Sequence, residues 1–323
     1  MAESMRTVEL NNGVVMPTLG YGCAFGDWVG ASERQGFLPE QAWHAVRSAL
    51  DAGYRSFDGA HAYGTERAVG TLLGQRFAEG TLTRADVFLT TKLAHPTAPP
   101  HVNISHLRTW NASEIEDPAG RLRDDLMRSL DDLGVGYADL VLLHWPGDFG
   151  DRDPHRAASI RWALWSELMD LHDKGAARAI GVSNFTAAHL DDILRHDPRV
   201  LPALNQVECH PYCRDAELES ACRSAGIVLG AYAPFASGAF GLLEDPVLVR
   251  LAAKHEVTPA QVVLRWHLQH GRVVLPKTQT PRRMVENQDL FGFSLDAGDM
   301  ADIDALGQDQ PARRTCPSPY DVA

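Results

Sequence analysis

A tyrosine and a lysine, each close behind a short apolar run, are the residues of this 323-residue chain best suited to moving a proton. Tyr63 stands five residues after Asp58 in Asp58-Gly-Ala-His-Ala-Tyr63-Gly-Thr-Glu66, and Lys92 closes Val87-Phe-Leu-Thr-Thr-Lys92. A phenol has an ordinary pKa of about 10, so bringing it near 7 takes roughly 4 kcal/mol of differential stabilisation of the phenolate. An adjacent ammonium supplies much of that. Further polar groups occur at the ends of other apolar runs: His144 in Leu142-Leu-His144-Trp-Pro146, Ser183 and Asn184 in Gly181-Val-Ser-Asn-Phe185, Gln206 in Asn205-Gln-Val-Glu208, and Tyr232. Each has a plainer reading as well. Tyr63 is also what a packed rim tyrosine looks like, and Asp58 with Lys92 what a buried ion pair looks like, which by itself says little about function. His144 alone reads equally as a core histidine, and Ser183, Asn184 and Gln206 as hydrogen-bonded strand ends.

The elements that must carry these groups alternate along the chain. Val8-Glu-Leu-Asn-Asn12-Gly13-Val-Val-Met16 reads as a hairpin around an Asn-Gly turn. Strands are then expected over 19–22, 54–58, 87–92, 138–144, 179–183, 204–208, 228–232 and 273–275. Helices are expected over 39–52, 65–79, 118–133, 160–174, 186–195, 215–225, 246–255, 259–269 and 281–291, and the first of them has Ala42, Trp43, Val46, Ala49 and Leu50 on one face. Eight strands, each followed by a helix and with no break in composition, predict an α/β protein: one (β/α)8 TIM-type barrel over residues 1–323, with an N-terminal β-hairpin and extra helices. A doubly wound sheet is the rival. Asp58, Lys92, His144, Asn184, Gln206 and Tyr232 all fall at or just past the C-terminal ends of strands, where barrel enzymes assemble their sites.

Thirty basic against 42 acidic residues give a net charge of −12, which disfavours nucleic acid or anionic membrane as partners. The N-terminus has no apolar signal core, and no apolar run is long enough to span a bilayer. Five cysteines form no C-x-x-C pair. The chain is therefore expected to be cytoplasmic, a monomer acting on a small molecule, with its thiols reduced.

Taken together, these motifs resemble the aldo-keto reductase superfamily, from about Gly13 to Leu306. The resemblance implies that Tyr63 is the general acid protonating a carbonyl oxygen as hydride arrives from a nicotinamide. Asp58 would hold Lys92, Lys92 would acidify the phenol, and His144 would orient the carbonyl. Histidine there, rather than a carboxylate, implies carbonyl reduction instead of reduction of a carbon–carbon double bond. Ser183, Asn184 and Gln206 would clamp the nicotinamide carboxamide, Tyr232 would stack on the ring, and Gly22 would lie among the cofactor contacts. Val274-Leu-Pro-Lys277-Thr278, followed by Arg283, Glu286 and Asn287, is a strand running into a helix start with a Lys and an Arg six residues apart. Such a place suits a phosphate, although a solvated basic turn has the same look. By resemblance Lys277, Thr278 and Arg283 would hold the 2′-phosphate of NADPH, and Glu286 and Asn287 would meet adenine. A regulatory NADPH-binding subunit with little turnover is the alternative function.

Other chemistries fit less well. Gly20-Tyr-Gly22-Cys-Ala-Phe-Gly26 imitates a dinucleotide fingerprint, but its third glycine falls one place late. There is no Tyr-x-x-x-Lys of a short-chain dehydrogenase and no His-x-His of a metal-dependent barrel hydrolase, and Cys209, His210 and Cys213 lack a fourth ligand, so no metal is expected. The chain departs from the family in an insertion at 95–117, roughly twenty residues long, which carries His101, His106 and Trp110 and follows strand three over the rim. Trp110 is expected either to line the substrate pocket, with Phe25, Trp28 and Trp145 as further apolar walls, or to ride on a surface excursion. The tail over 307–323 is short, so a third substrate loop is expected to be small.

Overall fold

The structure, a computed structural model, describes residues 6–25, 38–97, 108–308 and 311–323; Trp28, His101 and His106 lie outside the described residues. Strands β1 (Thr7–Glu9) and β2 (Val15–Pro17) pair antiparallel with Val8 opposite Met16, as the Asn-Gly turn predicts. Then β3 (Tyr21–Gly22), β4 (Ser56–Asp58), β5 (Phe88–Leu93), β6 (Ala138–Leu143), β7 (Ala177–Ser183), β8 (Leu204–Glu208), β9 (Val228–Tyr232) and β10 (Val273–Leu275) lie side by side in chain order, all parallel. The first and last meet. Gly20 N–H donates to the Val274 carbonyl at 3.0 Å and Val274 N–H to the Thr18 carbonyl at 2.8 Å, which closes the sheet into a barrel and disposes of the doubly wound rival.

Helices α1 (Ala42–Asp51), α2 (Glu66–Ala78), α3 (Pro118–Leu133), α4 (Pro154–Asp173), α5 (Ala187–Leu194), α6 (Ala216–Ser224), α7 (Pro246–His255) and α8 (Pro259–Gln269) surround it, and α9 (Pro281–Glu286) and α10 (Ala297–Asp304) follow the last strand. In α1 the buried face is Ala42, Ala45, Val46, Ala49 and Leu50. Trp43, expected on that face, is instead 42 % exposed, because at about 100° per residue it falls at the stripe's edge and Ala45 takes its place. Helix α4 begins six residues before the expected Ile160, at Pro154, where the Asp153 carboxylate accepts from the His155 and Arg156 N–H groups. Helix α9 ends at Glu286 rather than 291.

Strand alternation sorts the side chains. Leu140 and Leu142 point inward and pack with Phe88, Ala179, Leu204, Val273 and Leu275, while Val141 and Leu143 pack outward with Leu126, Leu130 and Leu168. Each such buried side chain contributes about 1.5–3 kcal/mol. Leu10 and Met16 of the hairpin join the inner cluster and plug the barrel floor. A side chain at Gly181 would put its Cβ 2.4 Å from the Leu204 carbonyl oxygen, so only glycine lets β7 and β8 approach there. Farther along the inward rows the residues become polar: Phe88 is followed by Thr90 and Lys92, and Leu204 by Gln206 and Glu208. The closed apolar floor thus leaves its charges at one mouth.

Candidate active site

Asp58 and Lys92 arrive at that mouth from neighbouring strands. Lys92, 1 % exposed, donates from Nζ to Asp58 Oδ2 at 2.7 Å and to the Gly59 carbonyl at 2.8 Å. Directly after β4 a single helical turn, His61–Tyr63, ends in left-handed Gly64 and sets the Tyr63 ring with its centroid 5.1 Å from Lys92 Nζ. The Tyr63 hydroxyl lies 3.4 Å from Nε2 of His144, which follows β6. The other Asp58 oxygen accepts from Gln206 Nε2 at 2.7 Å.

From Gln206 the connections run on around the rim. Ser183 Oγ donates to the Gln206 carbonyl at 2.8 Å, Asn184 Nδ2 donates to Ser183 Oγ at 3.2 Å and to the His144 carbonyl at 2.9 Å, and Tyr232 donates its hydroxyl hydrogen to Asn184 Oδ1 at 2.8 Å. Asn184 holds a left-handed backbone (φ 61°), a strain consistent with a side chain aimed for use. Asp58, Tyr63, Lys92, His144, Ser183, Asn184, Gln206 and Tyr232 therefore form one connected polar assembly.

Its electrostatics differ in one respect from expectation. Burial is the largest influence on Tyr63 and pushes its pKa up; Lys92 pulls it down by charge and hydrogen bonding, Asp58 pushes it up again, and it settles at about 12. The ammonium offsets part of the desolvation and does not bring the phenol near 7. For Lys92, burial opposes the charge, but Asp58 and Tyr63 outweigh it and hold the pKa above the ordinary value. Burial, followed by His95 and Lys92, keeps His144 well below the ordinary value, so the imidazole is neutral. The arrangement combines a protonated phenol, a neutral imidazole and a fixed cation behind them, which suits protonation of an oxygen that gains negative charge.

Other expected residues are distributed as follows. Gly22 N–H donates to the Pro276 carbonyl at 3.1 Å, and a Cβ there would stand 3.6 Å from the Lys277 Cβ, so Gly22 and Lys277 adjoin where β3 meets β10. Tyr21 fixes the following residue, donating to the Thr278 carbonyl at 2.6 Å. Arg283 is exposed and pairs with no carboxylate among the described residues, whereas Glu286 accepts from Arg282 at 2.6 Å and Asn287 is buried. Ser183, Asn184 and Gln206 thus form an amide-and-hydroxyl row on the rim, and Lys277 and Arg283 are both exposed.

Trp145 lies at the mouth, its ring 4.7 Å from Phe149 and 6.3 Å from His95. Phe25 packs in the core beneath α1, fully buried beside Tyr21. Trp110 is neither a free pocket wall nor part of a surface excursion: it is buried, and its indole N–H donates to Asp125 on α3 at 2.8 Å. Asp125 in turn approaches His61 Nε2 at 3.5 Å, on the turn that carries Tyr63. Through Asp125, Trp110 thus braces the turn that carries Tyr63.

Two further groups stand at the mouth that the sequence analysis did not single out. The tail returns across the rim, Thr315 N–H donating to Glu208 Oε1 at 2.6 Å and Cys316 N–H to Glu208 Oε2 at 3.2 Å, with the Cys316 thiol pushed up to about 12 by burial and the Glu208 charge. Glu208 was legible, two places beyond Gln206 on the same inward row. His95 was not, because it reaches the mouth through the left-handed Ala94 (φ 58°), a conformation alanine does not advertise.

A model of the Aldo/keto reductase family matches residues 19–308. Among curated proteins the chain is 38 % identical to Aldo-keto reductase family 1 member A1-A of Danio rerio, covering 94 % of this chain and 90 % of that one. It is 36 % identical to Glyoxal reductase of Bacillus subtilis (strain 168), over 98 % and 97 % of the two chains. Among solved structures it is similar to an aldo/keto reductase from Brucella melitensis, with a TM-score of 0.72 and 35 % identity over 93 % of this chain and 98 % of that one.

Proposed function

For this chain, which belongs to the aldo/keto reductase family, we propose NADPH-dependent reduction of aldehydes or ketones to alcohols, with Tyr63 as the general acid. The observation that carries the reading is the convergence of the Tyr63 hydroxyl and His144 Nε2, 3.4 Å apart, on one point in front of the Lys92–Asp58 pair. A carbonyl oxygen placed at that point receives a hydrogen bond from each. NADPH, when bound, supplies the hydride.

Ser183, Asn184 and Gln206 offer the groups to hold a carboxamide, Tyr232 flanks them, and Lys277, Thr278 and Arg283 offer the cations and hydroxyl for a 2′-phosphate. As negative charge grows on the carbonyl oxygen, Tyr63 gives up its proton and Lys92 stabilises the phenolate left behind. With its pKa at about 12 the phenol remains protonated at neutral pH, the form a reduction consumes. Oxidation of an alcohol needs the phenolate and so gains as pH rises. Among the described residues no helix is long and apolar enough to cross a membrane.

NADPH consumption with 4-nitrobenzaldehyde tests the proposal. Steady loss of NADPH absorbance with alcohol formed in equal amount supports it. NADPH binding with no turnover across a carbonyl panel would favour the regulatory subunit instead.

A further inference from the structure

His95 stands in the site without a part in the chemistry described so far. Ala94 turns the chain back over the mouth, and His95 is buried there, 4 % exposed. Its Nδ1 lies 2.7 Å from the Pro96 carbonyl, so that nitrogen carries the ring proton and donates. The Trp110 N–H donates to the His95 carbonyl at 3.0 Å, tying this first residue of the insertion to its anchored tryptophan. Ring and backbone are therefore both fixed. The ring meets His144 nearly at right angles, centroids 4.6 Å apart and planes at 87°.

His144 has particular need of such a neighbour. A functional histidine is ordinarily oriented by a hydrogen bond from its second nitrogen to a carbonyl or carboxylate. Nδ1 of His144 is buried and has no such partner among the described residues. Its other nitrogen has the Tyr63 hydroxyl at 3.4 Å, long for a hydrogen bond. The tilt of the imidazole is then set by the rings packed on it: Tyr63 at 5.5 Å and 77°, and the closer His95.

We propose that His95 is a positioning residue that holds the His144 imidazole, through ring-to-ring contact, in the orientation that turns Nε2 toward the Tyr63 hydroxyl. Its kinetic consequence rests on the carbonyl-reduction reading; its structural consequence does not. The test uses the full-length protein carrying His95→Ala or His95→Phe, with thermal unfolding to confirm that each variant folds. The readouts are the His144 ring signals in ¹⁵N–¹H spectra, recorded with and without NADPH, and kcat and KM for 4-nitrobenzaldehyde.

His95→Ala is expected to shift the His144 signals and to lower kcat by about tenfold, with KM changed by less than about threefold, the size of one lost aromatic contact. His95→Phe, which keeps a ring at the contact, is expected to recover kcat to within about threefold of the parent. Unmoved His144 signals in His95→Ala would overturn the proposal. So would a phenylalanine variant as slow as the alanine variant, since the ring would then not be the active feature. If the parent protein reduces no carbonyl, the functional reading fails, and the spectra still decide the role of His95.

Discussion

Replacing Lys92 by methionine removes the cation while keeping most of its buried stem. Lys92 Nζ is 5.1 Å from the centroid of the Tyr63 ring, over which a phenolate spreads its charge. At an effective dielectric near 20, two unit charges at that separation attract by about 3 kcal/mol. If roughly half of the phenolate charge has formed at the transition state, the lost stabilisation is about 1.5 kcal/mol, or about tenfold in kcat; full development gives about 200-fold. Lys92→Met is therefore expected to lose between ten- and 200-fold in kcat, with NADPH affinity little changed. The substitution also leaves Asp58 buried with Gln206 Nε2 but no cation, which costs about 3–5 kcal/mol of stability. The double variant Asp58→Asn, Lys92→Met removes that orphaned charge. Urea unfolding should show stability largely recovered, and kinetics with 4-nitrobenzaldehyde should show the rate still low. A kcat for Lys92→Met within threefold of the parent, or a double variant that regains rate along with stability, would refute the electrostatic role.

Arg283→Ala should weaken NADPH by about 10- to 100-fold, the loss of a charge-assisted contact, and NADH by less than about threefold; equal losses by fluorescence titration would count against a 2′-phosphate site. Burial lowers the pKa of His61, His95 and His189 to about 4, so below pH 6.5 the unfolded chain takes up protons that the fold refuses, and stability falls by about 2 kcal/mol per residue at pH 5. Glu66, raised to about 7 by burial, works oppositely and returns about 2 kcal/mol between pH 7 and pH 5, leaving these four groups with a net loss of about 4 kcal/mol; equal urea midpoints at the two pH values would contradict their burial. Trp110→Phe deletes the donor to Asp125 and should destabilise by about 1.5–3 kcal/mol in denaturant melts, and an unchanged midpoint would show that the insertion is not anchored there.

The barrel was legible because its signals are local. Helix α3 is found at the expected 118–133, where Asp117 caps it, Pro118 opens it and left-handed Gly134 stops it. Strands β8, β9 and β10 likewise match, β9 and β10 as short apolar runs and β8 as the buried run Leu204-Asn-Gln-Val-Glu208. Helix α10 was missed because Ala297–Asp304 has almost no apolar stripe. Its Asp299 is held instead by Lys254 at 2.7 Å and His255 at 2.8 Å, from α7, and a salt-bridged helix leaves no periodicity to read. Tyr63, Lys92, Asp58 and His144 were each placed by motif, and the structure brings them together. The acidity of Tyr63 was misjudged because sequence shows a charge neighbour but not the depth of burial, and here burial wins. Trp110 was expected to line the pocket or lie on the surface because an inserted aromatic near the rim reads either way until its indole N–H has a partner.

The central claim is that the Tyr63 hydroxyl delivers the proton. Tyr63→Phe removes one oxygen and leaves the ring, the Lys92–Asp58 pair and the residues proposed to bind NADPH in place. Measured side by side, NADPH affinity should stay within about threefold of the parent while carbonyl turnover falls by roughly 10²–10⁴ or more. Near-parental turnover in that variant would contradict the account.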